Sequence, residues 1–297
     1  MDETTTDRWA AWVLARSHAG DAEQKRCALD YLEPIRDRVL ANARVRAGDT
    51  LLDVGAGDGL IAFGALPLVG ETGKVIFSDV SPDLLEHCRR ETEEAGASER
   101  TWSIEAAAED LSPISDASVD VVTTRSVLIY VDDKERAFEE FHRVLRAGGR
   151  LSIFEPINRY FPEDVNEFWG FDATSVRHLV EKISAFEGAD AASNEDDPMM
   201  NFDERDLLGH AESAGFREVH VELRLDVEPG SWAEDWERLL GVAPNPNALT
   251  VGEVIDRALS PEEARTFEAA LRPLVDSGRG VKRSAFAFLW AVSSSSS

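Results

Sequence analysis

The chain has 297 residues, of which 43% are hydrophobic, and its formal net charge at pH 7 is −26. That hydrophobic content supports a folded core and excludes global disorder, whereas the negative charge disfavours nucleic acids and anionic membranes as partners. The sequence has no apolar run of membrane length and no apolar signal segment, and it contains two cysteines. It therefore predicts a cytoplasmic protein that binds no metal.

The first half of the chain is predicted to hold a helical cap and most of the core. Apolar residues at helical spacing predict an N-terminal helical cap over residues 1–45. Residues 46–156 then alternate apolar strands with helical patterns, which is typical of a parallel sheet with right-handed crossovers. Ligands of such sheets bind at the carboxyl ends of the strands.

The second half is predicted to complete the core and to add two helical insertions. Residues 202–228 and 282–292 supply the remaining core elements, and the latter form an antiparallel last strand. Residues 157–201 and 229–281 leave the core on the ligand side, so we expect them to cover the substrate; padding of the domain or a homodimer interface is the alternative. Residues 293–297 form a serine tail predicted to be disordered. The expected fold is a doubly wound, seven-stranded Rossmann-like α/β sheet with helical cover segments.

A glycine run after the first predicted strand carries most of the functional information. Gly55, Gly57 and Gly59 occupy every second position and follow an apolar strand that ends with Asp53. Asp79 ends the next apolar stretch. A glycine turn beside a carboxylate, on two neighbouring strand ends, predicts a nucleotide site. The glycines let the backbone approach a ligand closely, and the carboxylate can accept both hydroxyls of a ribose.

The spacing of the glycines indicates which kind of nucleotide is bound. A dinucleotide fingerprint requires a third glycine where this chain has Leu60, although a nicotinamide-dependent oxidoreductase stays open as an alternative. The acid at Asp53 would repel a pyrophosphate, but it can serve a cationic ligand directly or through water. In this respect the chain resembles the class I S-adenosylmethionine-dependent methyltransferases, whose cofactor carries an amino group and a sulfonium.

Later motifs extend this resemblance over about residues 50–155. The stretch EAAAEDLSPISDASVDVV is similar to the family's third-strand and fourth-strand motifs, except that Ala107 stands where an acid would bond the adenine amine. TTRSVLIYV resembles the motif after the fourth strand, and RVLRAGGRLSIFEP is typical of the ubiquinone/menaquinone C-methyltransferase-like group. That group acts on many small molecules.

The resemblance implies a cofactor, a product and a set of binding residues. The donor would be S-adenosylmethionine and the product S-adenosylhomocysteine, with the methyl group passed to an oxygen, nitrogen or carbon of a small molecule. The methionine end, the ribose and the adenine would meet three successive strand ends. The cofactor-binding residues implied are Asp53, Gly55, Ala56, Gly57, Asp79, Val80, Ala107, Ala108, Glu109, Arg125 and Ser126.

The catalytic residues are less well indicated by the sequence. Methyl transfer is an in-line displacement, so the protein mainly has to place the acceptor next to the activated methyl group. A base helps only where the acceptor must lose a proton. The candidates are Tyr130, Glu155 and Tyr160 near strand ends and His18 in the cap, and each of them also has a structural interpretation. A non-methylating use of the same cofactor, such as cyclisation, is a further alternative.

Overall fold

The fold is a seven-stranded sheet with helices on both faces and a smaller helical layer beside it. The computed structural model describes residues 6–16, 22–161, 164–190, 197–231, 233 and 235–294. The strands are β1 Thr50–Val54, β2 Lys74–Asp79, β3 Thr101–Glu105, β4 Val119–Arg125, β5 Leu145–Pro156, β6 Glu167–Phe168, β7 Phe171–Asp172, β8 Phe216–Pro229 and β9 Val281–Ser293. The helices are α1 Arg8–Ala11, α2 Ala22–Asn42, α3 Leu60–Val69, α4 Pro82–Glu94, α5 Lys134–Val144, α6 Arg177–Asp190, α7 Glu204–Ser213, α8 Trp236–Gly241, α9 Val251–Ala258 and α10 Pro261–Val275. A π-helical turn, Trp12–Arg16, follows α1.

The large sheet confirms the predicted fold class. Its strand order is β3-β2-β1-β4-β5-β9-β8, and β6 pairs only with β7 in a separate small ribbon. Strands β1 to β5 run parallel, and β9 is antiparallel to both of its neighbours. Val54, the last residue of β1, lies opposite Ser78 of β2 and Thr124 of β4. These three strands therefore end at the same edge, where the glycine run begins.

Each face of the sheet is covered by its own apolar layer. Phe138 and Phe141 of α5 pack with Leu207 of α7 on one face. Val39 of α2 and Cys88 of α4 belong to the layer on the other face. Because the central strands are buried on both sides, they consist of near-continuous apolar runs rather than alternating ones.

Helix α4 begins immediately after the second strand end, as its sequence indicates. The Ser81 hydroxyl accepts a hydrogen bond from the Leu84 N–H at 3.1 Å, and Pro82 occupies the first turn. Serine as N-cap and proline at the first helical position are both favoured at a helix start. This cap fixes the direction in which the chain leaves Asp79.

The two insertions share a hydrophobic core of their own. Phe171 and Leu179 from the first insertion pack in one cluster with Trp236, Ile255 and Phe267 from the second. The helices of the insertions therefore support one another, and that mutual packing stabilises segments that are far apart in sequence. No helix among the described residues is long and apolar enough to cross a bilayer.

Candidate active site

A cavity of about 400 Å³ opens at the carboxyl ends of the parallel strands. Its position agrees with the general placement of ligands in open α/β sheets. The residues around it are Trp9, Trp12, Val13, Val54, Gly55, Gly57, Asp79, Val80, Leu84, Ala106, Ala107, Ala108, Glu109, Arg125, Ser126, Val127, Ile129, Tyr130, Val131, Pro156, Asn158, Met199 and Pro244.

The order of the strands in the sheet determines the order of the residues along the cavity wall. Ala107, Ala108 and Glu109 follow β3 and line the end of the cavity beyond β2. Asp79 and the glycine turn come next, since β2 and β1 are adjacent. On the far side lie Arg125 at the end of β4 with the turn after it, and then Pro156 at the end of β5 with Asn158. With strands about 4.8 Å apart, the cavity runs across five strand ends and is long enough for an extended ligand.

The Asp79 carboxylate is held in place by backbone amides. One oxygen accepts the Gly57 N–H at 2.8 Å, and the other accepts the Ser81 N–H at 2.9 Å. Burial raises the pKa of Asp79, and these amide hydrogen bonds oppose the rise. A carboxylate oxygen can accept more than one hydrogen bond, so each oxygen keeps a lone pair for a ligand. The side chain is only 6% exposed and lines the cavity.

The two glycines on the cavity wall are required for different reasons. Both have positive φ, +65° at Gly55 and +59° at Gly57, a conformation that other residues adopt at a cost. A Cβ built on Gly55 would come within 2.3 Å of the Val127 side chain. A Cβ on Gly57 would meet no protein atom within 4 Å. Gly55 therefore permits close internal packing, whereas Gly57 borders open space in which a ligand can approach the backbone.

Asp53 is not among the residues that line the cavity, and its expected service to a cationic ligand, directly or through water, stays a prediction. It is 2% exposed, accepts the Thr123 hydroxyl hydrogen bond at 2.8 Å and accepts the Ala62 N–H at 3.1 Å. Burial raises its pKa to about 7. The side chain thus connects β1 with β4 and with α3, and it lies on the side of the glycine turn away from the cavity. Ala56 is also buried, and its N–H donates to the Ser78 carbonyl at 2.9 Å.

The residues after β4 shape the middle of the cavity. Ser126 has a φ of +55°, and its N–H donates to the Phe154 carbonyl at 2.8 Å. A serine in that region is uncommon and is held there by its surroundings. Arg125 lines the cavity, and its positive charge opposes the rise in pKa of the buried carboxyls Asp53 and Glu155. It therefore places a positive charge at the cavity.

Two of the four catalytic candidates lie at or directly behind the wall. Tyr130 lines the cavity, packs edge-on against Trp9 with ring centroids 5.0 Å apart, and has its pKa raised to about 12 by burial. Glu155 is fully buried and accepts the N–H groups of Val127, Leu128 and Ile129 at 2.9, 3.0 and 3.3 Å. Glu155 therefore positions the turn that carries Tyr130, and it does not itself face the cavity.

The other two candidates are not placed at the cavity. Tyr160 is 44% exposed and packs against Phe161, with ring centroids 6.0 Å apart. It is not among the residues that line the cavity, and its catalytic role stays a prediction. His18 lies outside the described residues.

Several wall residues were missed by the sequence reasoning. Trp9 and Trp12 come from the N-terminal segment, and Met199 and Pro244 come from the two insertions. The Trp12 indole N–H donates to the Ala243 carbonyl at 2.9 Å, which links the N-terminus to the second insertion. Two tryptophans one helical turn apart were a signal for a buried face, although the spacing did not indicate what they face.

The lining residues suit a sulfonium nucleoside. Asp79 has lone pairs that can accept hydroxyl hydrogen bonds, Gly57 leaves space at the backbone, and Arg125 places a positive charge at the cavity. Nothing in this part of the wall resembles a phosphate-binding glycine–lysine loop. Among the described residues, no group of three His, Cys, Asp or Glu side chains could hold a metal ion.

The strand order with its antiparallel β9, the glycine turn and Asp79 define a Rossmann-like, nucleoside-binding class of protein. A family model for the methyltransferase domain matches residues 52–153. The ubiquinone/menaquinone biosynthesis C-methyltransferase UbiE of Klebsiella pneumoniae is 32% identical over 189 residues, covering 59% of this chain and 69% of that protein. The chain belongs to the class I S-adenosylmethionine-dependent methyltransferases, and S-adenosylmethionine is its cofactor.

Solved structures show the same fold at low sequence identity. The YcgJ protein of Bacillus subtilis has a TM-score of 0.55 at 17% identity, covering 88% of this chain and 98% of that one. A geranyl diphosphate methyltransferase in complex with S-adenosylmethionine has a TM-score of 0.52 at 19% identity, and 94% of each chain is covered.

Proposed function

We propose that this enzyme transfers the methyl group of S-adenosylmethionine to a small, largely apolar acceptor. The observation that carries the proposal is the continuity of the cavity from the Asp79–Gly57 wall into a second end bounded by aromatic and apolar side chains. The second end includes Trp9, Trp12 and Tyr130. The cavity of about 400 Å³, which also takes the cofactor, lies in the size range of small-molecule sites. The relatives named for quinone biosynthesis act on small molecules, which is consistent with this size.

In this proposal each strand end contacts a different part of the cofactor. Asp79 accepts the two ribose hydroxyls, and the backbone of Gly55 and Gly57 lies against the methionine portion. The stretch 107–109 borders the adenine, where backbone groups and Glu109 replace the acid that the family has at position 107. Arg125 faces the carboxylate of the cofactor. When bound, the cofactor supplies a methyl group already activated by positive sulfur.

The residues at the acceptor end mainly position the acceptor and exclude water. Its described lining residues include Tyr130 and Asn158 as polar groups, and Tyr130 stays protonated at neutral pH because burial raises its pKa to about 12. Tyr130 is therefore a hydrogen-bonding group, not a base. We infer that the acceptor is nucleophilic by itself at working pH, so that rate comes from alignment within about 3 Å of the methyl carbon.

We also propose a cytoplasmic location and no nucleic-acid partner. The net charge of −26 supports the absence of a nucleic-acid partner, since a phosphate backbone would be repelled. The second candidate function, a non-methylating reaction of the same cofactor, is distinguished by its products. Methyl transfer yields S-adenosylhomocysteine, whereas transfer of the aminocarboxypropyl group yields methylthioadenosine.

Calorimetry with S-adenosylhomocysteine tests the donor site. We expect the wild type to bind and Asp79→Ala to lose about 1.5–3 kcal/mol of binding free energy, because a charged hydrogen-bond acceptor is removed. Asp120→Asn is the matched control: its carboxylate likewise accepts a backbone N–H, that of Thr50 at 2.9 Å, but at the opposite end of the strands. Unchanged affinity in the Asp79 variant would overturn the ribose assignment.

A panel of phenols, amines, thiols and quinols, with product analysis by mass spectrometry, tests the acceptor. We expect one apolar member to gain 14 mass units together with formation of S-adenosylhomocysteine. Turnover of the cofactor to methylthioadenosine alone would overturn methyl transfer in favour of the second candidate.

A further inference from the structure

Lys134 is a lysine whose ammonium is enclosed by protein. It begins α5, and its residue is only 5% exposed. The ammonium donates to the Val131 carbonyl at 2.9 Å, to the Pro198 carbonyl at 3.0 Å and to the Asn201 side-chain oxygen at 2.9 Å. An ammonium has three N–H donors, so all of them are used within the protein.

Several neighbours of Lys134 offset part of the cost of burying its charge. Its ammonium lies over the Phe202 ring at 4.7 Å, and this cation–π contact is stabilising. Burial lowers its pKa, and four carboxylates oppose that effect: Glu155, Asp132, Asp197 and Asp206. A buried charge is tolerated when it is fully hydrogen-bonded and surrounded by opposite charge.

The three oxygens that accept from Lys134 belong to two separate segments of the cavity wall. Val131 ends the turn after β4 and lines the cavity. Pro198 and Asn201 flank Met199, which lines the cavity from the first insertion. The turn around Met199 is closed on itself, because the N–H groups of Met200 and Asn201 both donate to the Asp197 carbonyl at 2.9 Å.

Lys134 provides the direct polar connection from Val131 to this turn. The Asn158 amide donates to the Met199 carbonyl at 3.3 Å and holds the same turn from the β5 side. The wall at the acceptor end is thus assembled from the ends of β4 and β5 and from one turn of the insertion. None of these contacts involves the donor end at Gly57 and Asp79.

We propose that Lys134 is a positioning residue that fixes the Met199 turn against Val131 and thereby sets the shape of the acceptor end. The inference rests on the proposed function, because that function makes this end the acceptor site. Lys134 contacts neither reactant, since its donors are occupied by protein oxygens. Its loss should alter acceptor binding and leave cofactor binding as it is.

Hydrogen exchange by mass spectrometry, with S-adenosylhomocysteine bound, tests the proposal without an identified acceptor. In Lys134→Met, which keeps the apolar stem, we expect exchange in segments 128–131 and 198–202 to be faster by about tenfold or more. Exchange in α3 and the affinity for S-adenosylhomocysteine should stay as in the wild type. Lys182→Met is the control, because Lys182 pairs with Glu263 on the exposed face of the insertions.

A milder variant and a kinetic measurement keep the test decisive if Lys134→Met folds poorly. Asn201→Ala removes one of the three acceptors and should accelerate exchange in segment 198–202 alone. With an acceptor from the panel, either variant should raise the KM for that acceptor and leave the KM for S-adenosylmethionine unchanged.

The outcomes separate this inference from the proposed function. Unchanged exchange in both segments, in a variant that binds S-adenosylhomocysteine normally, would overturn the role of Lys134 alone. Faster exchange throughout the chain would also overturn it, because Lys134 would then be a general stabiliser. Failure of the wild type to bind S-adenosylhomocysteine would overturn the proposed function itself.

Discussion

The Asp7 carboxylate accepts a hydrogen bond from the Ser81 hydroxyl across 2.6 Å. Asp7 also caps α1, accepting the N–H groups of Trp9 and Ala10 at 2.9 and 3.0 Å. Ser81 stands two positions after Asp79 and caps α4. The segment that carries Trp9 is therefore fastened to the same strand end that carries the proposed ribose contact, and the two sides of the cavity are held together.

Asp7→Ala should separate these two sides. We expect a loss of about 1 kcal/mol in the free energy of unfolding, because an N-cap is removed, and a several-fold loss of S-adenosylhomocysteine affinity. Ser260→Ala removes the N-cap of α10, which is remote from the cavity, and should lower stability without changing affinity. Urea unfolding and calorimetry measure the two quantities. Equal affinity in both variants would contradict a link between Asp7 and the site.

Gly55→Ala should mainly lower the stability, whereas Gly57→Ala should mainly weaken ligand binding. Both substitutions force alanine to a positive φ, at about 1–2 kcal/mol. Gly55→Ala additionally drives a methyl group into Val127, so we expect a further loss of about 1–3 kcal/mol of stability. Gly57→Ala should lose less stability but at least about tenfold in S-adenosylhomocysteine affinity, or about 1.4 kcal/mol, because its methyl group enters the space of the ligand.

Thermal unfolding measures the stability of both glycine variants, and calorimetry measures their affinity for S-adenosylhomocysteine. The prediction fails if Gly57→Ala binds S-adenosylhomocysteine as the wild type does.

The free energy of unfolding should decrease as the pH rises from about 4 to about 7, because two carboxyls are buried. The pKa values of Asp53 and Glu155 are raised by burial to about 7, whereas in an unfolded chain they are about 3.9 and 4.3. Between about pH 4 and pH 7 the folded state therefore binds protons that the unfolded state has released, so the free energy of unfolding falls with increasing pH.

Asp53→Asn should flatten this dependence. The asparagine amide can still accept from Ala62 and donate to Thr123, so the hydrogen bonds of the site are kept. Urea unfolding at pH 5 and pH 8 measures the difference for both proteins. An equally steep fall in Asp53→Asn would show that Asp53 does not contribute.

Salt should stabilise the wild type. A net charge of −26 produces self-repulsion, which sodium chloride screens as the Debye length falls from about 10 Å at 0.1 M to about 3 Å at 1 M. We expect the Tm to rise over that range. Chloride is the better choice because sulfate also stabilises by exclusion from the surface. A Tm that is flat or falls would contradict the prediction, because repulsion among the acidic residues would then not limit the stability.

The sequence was sufficient for the core because its signals are local. The apolar runs and glycine turn predicted the strand ends, and Asp79 and Gly57 lie together as expected, 22 positions apart. The burial of Asp53 behind the wall could not be predicted, because its partner, the Thr123 hydroxyl, is 70 positions away. Periodicity alone does not show on which side of a turn a side chain is satisfied.

The acceptor end was beyond the sequence for a related reason. Met199 and Pro244 reach the cavity from insertions whose apolar residues pack mainly on each other. Their placement depends on long-range contacts such as the one between Trp12 and Ala243, which are 231 positions apart. No short motif specifies a contact of that kind.

The division of the wall between the sheet and the added segments has a consequence for redesign. The donor end is built from strand ends that the whole sheet holds in register, whereas the far end depends on Trp9, Trp12, Met199 and Pro244. On the proposed assignment, exchanging only the stretches around Met199 and Pro244 for those of another enzyme would change which molecule receives the methyl group, while Gly57 and Asp79 stay as they are. The same separation would allow selectivity to diversify among descendants of one ancestral gene without repeated reinvention of cofactor recognition.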